Sequence, residues 1–229
     1  MLRKNKFGKD FTIMKIVMIG DYSVGKKAIV ERYYENTFGP PRYICSIGID
    51  FRLKSLYFDI SEQKFDDSSK NSYHHIKLQI FGTLGRERFG VSFSSYFRGA
   101  KGVLLVYDIT NRENFDNLSK WIEQIYQHWD SAQVVLIGNK WDIVNDNEKS
   151  DSTSNSTQRE VSFDEGLKLA SKHGFTFFET SAKSDTNITV AFESLVKNIF
   201  MDIQGSKKSS PAVGLAQPND LETSWWKST

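Results

Sequence analysis

Gly20-Asp21-Tyr22-Ser23-Val24-Gly25-Lys26-Lys27 is the stretch on which the fold turns. It follows an apolar run, residues 11–19, with strand character, and it precedes residues 28–34, which read as helix. A G-x-x-x-x-G-K pattern between a strand and a helix builds a phosphate cradle. Its glycines let backbone N–H groups wrap an anion, and the helix N-terminus adds positive potential. Lys26 is placed to neutralise the β- and γ-phosphates. The pattern normally closes on Ser or Thr, whose hydroxyl binds Mg²⁺, but Lys27 stands there. A Gly-rich turn that only caps a helix would satisfy the same spacing, so the motif needs support from elsewhere in the chain.

Outward from this loop, apolar runs alternate with amphipathic stretches. Residues 76–81, 102–108, 133–138 and 176–180 read as strands; residues 114–129, 163–173 and 189–201 carry helical periodicity. Such alternation predicts a doubly wound, mostly parallel sheet, with residues 47–60 adding one antiparallel edge strand. Residues 61–75 are polar and predict a long hairpin loop, and residues 144–158 are low in complexity and predict disorder. The chain has 229 residues, 39% apolar and 25% charged, an ordinary globular composition with enough length for a sizeable core. A net charge of +2 gives no pointer to nucleic acid, and a lone cysteine, Cys45, allows neither an intrachain disulfide nor a cysteine-based metal site. No stretch reaches the roughly 18 apolar residues of a membrane span, and residues 1–10, although basic, lack a secretory apolar core.

Two later motifs supply the support. Asn139-Lys140-Trp141-Asp142 follows one strand. The Asp142 carboxylate can accept from guanine N1 and the exocyclic amine, donors that adenine does not offer. Glu179-Thr180-Ser181-Ala182-Lys183 follows the next strand, and the backbone N–H of Ala182 can meet guanine O6. Either motif alone could be a solvated loop; their order after successive strands argues against coincidence. A phosphate-loop kinase is disfavoured, because the guanine motifs would serve no purpose there.

With these residues in place the chain resembles the Ras superfamily, and its Rab branch in particular. The resemblance covers residues 11–203 and includes Ile47-Gly48-Ile49-Asp50-Phe51, Lys77-Leu78-Gln79-Ile80-Phe81, Arg88-Phe89, Tyr96-Phe97-Arg98-Gly99-Ala100 and Leu105-Val106-Tyr107-Asp108-Ile109-Thr110. It implies a phosphate-loop G domain: a six-stranded, mostly parallel sheet with one antiparallel edge strand and helices on both faces. It implies a GTP/GDP switch in vesicle traffic, with protein effectors docking on the switch surface. Carried over residue by residue, nucleotide contacts fall on Gly20, Ser23, Val24, Gly25, Lys26, Lys27, Phe38, Ser46, Gly85, Asn139, Lys140, Asp142, Ser181, Ala182 and Lys183. The aromatic triad of effector recognition falls on Phe51, Phe81 and Tyr96, with Phe81 where Trp is usual.

The pattern breaks at the chemistry. Family members hold Mg²⁺ through the phosphate-loop Ser/Thr, a switch Thr and the Asp that opens D-x-x-G. Here Lys27, Ser46 and Gly82 take those places, and only Ser46 keeps an oxygen. Arg86 replaces the Gln that orients the attacking water, and an arginine has no acceptor for that water's hydrogen. Tyr22 occupies a usually small position, where its ring would crowd a partner's arginine finger; Pro40-Pro41 stiffens a first switch one residue longer than usual. The expectation is a guanine-nucleotide-binding protein with doubtful Mg²⁺ binding, weak or absent hydrolysis and no assignable catalytic residue. An interaction module with a fixed switch surface is the alternative. Residues 204–229 read as a flexible tail ending in Trp225-Trp226-Lys227-Ser228-Thr229 without a prenylation cysteine, so a cytoplasmic chain reaching endomembranes through partners is expected. The paired tryptophans suit a membrane interface or a docked peptide equally.

Overall fold

The computed structural model describes residues 3–4, 10–39, 49–59, 73–83, 98–128, 131–147, 158–205 and 226–227. Among them the strands are β1 (Arg3–Lys4), β2 (Asp10–Ile19), β3 (Ile49–Asp59), β4 (Tyr73–Thr83), β5 (Gly102–Asp108), β6 (Gln133–Asn139), β7 (Thr176–Thr180) and β8 (Trp226–Lys227). The helices are α1 (Lys26–Glu35), α2 (Arg112–Asp116), α3 (Leu118–His128), α4 (Trp141–Asn147), α5 (Phe163–His173) and α6 (Ile188–Ile203).

One sheet carries the strands in the order β7-β6-β5-β2-β4-β3-β8. The pairs β2–β4, β2–β5, β5–β6 and β6–β7 are parallel; β3 runs antiparallel to β4, Phe51 opposite Phe81. These six strands are the expected mixed sheet, and two additions of two residues each extend it. β1 pairs antiparallel with Asp10–Phe11, and β8 pairs antiparallel with Tyr57–Phe58, so β3 is not outermost over those two residues.

The sequence dictates the layering. β5 is wholly buried and reads Gly-Val-Leu-Leu-Val-Tyr-Asp, the continuous apolar run of a strand covered on both faces. Along β2 the side chains alternate. Met14, Ile16 and Met18 enter one core with Ile29 of α1 and Phe192 and Leu195 of α6. Val17 and Ile19 enter the other core with Ile122 of α3 and Phe177 of β7. α5 begins with a capping box, Ser162 and Glu165 each bonding the other's backbone, and stops at Gly174 in the left-handed region.

The helical reading of residues 114–129 needs correction. The helix begins at Arg112, where the Asn111 side chain accepts from the Asn114 N–H, and it breaks at Asn117, where α3 starts anew. Parts of both expected loops are also regular. Tyr73–His75 lie in β4, where they pair with residues 57–59, and residues 144–147 continue α4. The rest of those loops lies outside the described residues.

Candidate functional site

The chain crosses from one side of β2 to the other after β4, so the strand order reverses between β2 and β5. Crevices at such a reversal, at the carboxyl ends of the strands, are where open α/β sheets bind ligands. Residues 20–25 lie there, between β2 and α1.

Three residues of the loop have positive φ: Gly20 at 137°, Ser23 at 67° and Gly25 at 97°. At Gly20 any Cβ would collide with the carbonyl oxygen of Val106, and at Gly25 with the Asn139 amide. Two glycines are therefore required by close approach as well as by φ. Ser23 holds the left-handed conformation with a side chain present, at a cost of about 1 kcal/mol that the loop must absorb. Lys26, 5% exposed, donates from Nζ to the carbonyls of Gly20 at 2.5 Å and Asp21 at 2.6 Å. The ammonium is thereby held inside the turn. Asn139 fastens the loop from the opposite side, Nδ2 donating to the Val24 carbonyl at 2.8 Å.

The two base motifs also meet. Ser181 Oγ donates to Asp142 Oδ1 at 2.5 Å, and Lys183 Nζ lies 3.8 Å from Asp142 Oδ2. Thr180 Oγ1 donates to Asn139 Oδ1 at 3.1 Å. Lys140 adopts the left-handed region and reaches Asp108 Oδ2 at 2.6 Å. The Ala182 carbonyl accepts from Arg32 Nε at 2.8 Å, which ties α1 to this loop. An ionised carboxylate has acceptor capacity for about four donors, so Asp142 can hold Ser181 and still accept from a guanine edge. Phe38 lies beyond α1, half exposed. Ser46, Gly85, Arg86 and Tyr96 lie outside the described residues. The rings of Phe51 and Phe81 meet at 4.9 Å between centroids, with the Lys15 ammonium 4.5 Å from the Phe81 ring. Burial lowers the Lys15 pKa.

Mg²⁺ coordination of the kind the resemblance implies would draw on oxygens at positions 27 and 82. Lys27 offers an ammonium, 3.5 Å from Glu31 Oε1 one turn along α1. Gly82 offers no side chain, and a Cβ built there meets nothing nearer than Asp50 Cβ at 3.7 Å. The donors at these two positions do not fit the ion, although position 82 has room for one.

Several supporting residues were given no role in the sequence reading. Asp108, Thr180 and Arg32 orient Lys140, Asn139 and the Ala182 backbone, and the Asp21 carboxylate turns out of the loop toward α3. Their signal is positional: Asp108 and Thr180 end β5 and β7, Asp21 lies in the phosphate loop, and Arg32 is in the last turn of α1.

Comparison with known proteins agrees with this geometry. Residues 15–201 match the family model described as the Ras family. The chain is 37% identical over 207 residues to the Ras-related protein Rab-8B of Pongo abelii, covering 90% of this chain and 87% of that one. It is 36% identical over 219 residues to Rab-3C of Bos taurus, covering 95% and 85%, and 36% identical over 199 residues to Rab-13 of Canis lupus familiaris, covering 86% and 85%. A phosphate loop closed by Lys26, base motifs on two successive loops and these matches over most of the chain make it a member of the Ras family of small GTPases, in the Rab branch.

Proposed function

We propose that the chain is a Rab-like guanine-nucleotide-binding protein of vesicle traffic that hydrolyses GTP weakly or not at all. The observation that supports it most is the assembled base site. Asp142 is held by Ser181 at 2.5 Å, and Asn139 joins that site to the phosphate loop at 2.8 Å. In this reading Lys26, Asn139, Asp142 and Ala182 bind the nucleotide, and effectors dock around Phe51 and Phe81.

Slow chemistry follows from composition at three positions. Lys27 and Gly82 bring no oxygen to a metal, and Arg86 brings no acceptor to the attacking water. The Lys27 ammonium stands in for part of the missing positive charge once phosphate is bound. A second reading, an interaction module with a fixed switch surface, draws on Lys27, Gly82 and Arg86, which replace the side chains expected to respond to the nucleotide.

The test is equilibrium binding of fluorescent GDP and GTP analogues with and without Mg²⁺, followed by single-turnover hydrolysis. Tight binding that survives chelation, with negligible hydrolysis, is the expected result. Binding abolished by chelation would overturn the Lys27 role, and no binding at all would leave the interaction module. Partner binding that depends on which nucleotide is loaded would favour the switch over the module.

A further inference from the structure

We propose that Asp21, Asn117 and Trp121 form a latch between the phosphate loop and α3, making Asp21 a positioning residue for nucleotide binding. The inference rests on reading residues 20–27 as the nucleotide phosphate site.

The Asp21 carboxylate accepts from three side chains across the crevice. Trp121 Nε1 donates to Oδ1 at 2.8 Å, Asn117 Nδ2 to Oδ2 at 2.8 Å, and Asn114 Nδ2 to Oδ2 at 3.4 Å. The Asn117 amide has one orientation, because its Oδ1 accepts from the Lys120 ammonium at 2.8 Å, which turns the NH₂ toward Asp21. The break between α2 and α3 places Asn114 and Asn117 beside that carboxylate, and Trp121 follows one turn later.

All three donors are neutral, so none brings a positive charge to offset an aspartate carboxylate, and such a charge matters so close to a polyphosphate. Freed to turn inward, it would repel the ligand that the loop is built to receive. The latch points it at α3 instead. It also fixes the residue whose carbonyl, with that of Gly20, grips the Lys26 ammonium. The loop is thus fastened at two places, near its start by Asp21 to α3 and near its end by Val24 to Asn139.

The variants are Trp121→Phe, which keeps an aromatic ring against the core that holds Ile122 and Phe177, Asp21→Asn, which keeps the size and removes the charge, and the two combined. Release of a fluorescent GDP analogue from the full chain is timed in each. Hydrogen exchange at residues 22–25 of the nucleotide-free chain and the urea midpoint are measured alongside. A charge-assisted hydrogen bond lost at the loop should speed release about tenfold in Trp121→Phe. Exchange at residues 22–25 should rise with it. The double variant should release no faster than the faster single variant, since both remove one device. Release unchanged in both single variants while the wild type binds would overturn the latch. So would effects that multiply in the double variant, or faster release explained wholly by a fallen urea midpoint. Absence of binding by the wild type would overturn the nucleotide reading, and the positioning role with it.

Discussion

Replacing Asn139 with Ala should damage stability and nucleotide retention together, because one buried amide joins the phosphate loop to the ends of β6 and β7. Asn139 is 2% exposed; its Nδ2 donates to the Val24 carbonyl at 2.8 Å and its Oδ1 accepts from Thr180 Oγ1 at 3.1 Å. Val24 and Thr180 are themselves fully buried. Truncation strands a carbonyl and a hydroxyl, each costing about 1–3 kcal/mol when it finds no partner. Partial rescue by a water entering the vacated space brings the total to about 2–4 kcal/mol. For a domain of this size that is roughly 4–15 °C in Tm. The assay is urea unfolding of the nucleotide-free chain, where the midpoint should fall at constant slope. A companion, Asn139→Asp, keeps the Thr180 bond but sets a carboxylate against the Val24 carbonyl, and should be no more stable than the alanine. A loss below about 0.5 kcal/mol with GDP release at the wild-type rate would refute the idea that this amide fastens the phosphate loop.

Other changes test separate parts of the argument. Gly20→Ala drives a Cβ into the Val106 carbonyl and should cost more than about 3 kcal/mol, whereas Gly99→Ala, also at positive φ but with nothing within 4 Å of the new atom, should cost only about 1–2; equal losses in urea unfolding would show that strain, not collision, governs Gly20. Burial raises the Glu193 carboxyl to about 7, with Lys54 opposing the shift, so the native state favours the proton. The associated stability is complete below the unfolded value near 4.5 and is lost as pH rises through about 7. Glu193→Gln should therefore gain roughly 1 kcal/mol on the wild type at pH 8 and little at pH 4; parallel stability–pH curves would contradict it. Arg86→Gln alone should not restore GTP hydrolysis, while Lys27→Ser, Gly82→Asp and Arg86→Gln combined should give Mg²⁺-dependent turnover; a clear gain from the single change would show the metal site to be misjudged.

The parts of the fold that were legible before the structure were those fixed by composition within a single strand. β5 and β6 carry unbroken apolar runs, residues 102–107 and 134–138, because both faces of these strands are covered, and β7 centres on the buried pair Phe177-Phe178. The junction at Asn117 was illegible, because the apolar period continues through it from Phe115 to Leu118 and Ile122. At the junction the Asn117 side chain donates to Asp21, nearly a hundred residues away, a contact that local periodicity does not register. β8 lacked a signal for a similar reason: two residues gain strand form only from β3, far back in the chain. At the site, Lys26, Asn139 and Asp142 were readable because their spacing carries the chemistry. Asp108 and Thr180 stood within quoted motifs, but their bonds to Lys140 and Asn139 had no signal there, and Arg32, which holds the Ala182 carbonyl, had none at all.

Both terminal strands flank one row of the sheet. β1 pairs with Asp10–Phe11 and β8 with Tyr57–Phe58, while His75 of β4 stands opposite both Phe11 and Tyr57. The phosphate loop starts at Gly20, after the last residue of β2, about 30 Å along the strand from Phe11 at roughly 3.3 Å per residue. A chain immobilised on a sensor surface through either terminal strand would hold its nucleotide crevice outward. A circular permutant that joined the two strands and opened elsewhere would leave the crevice's own connections uncut.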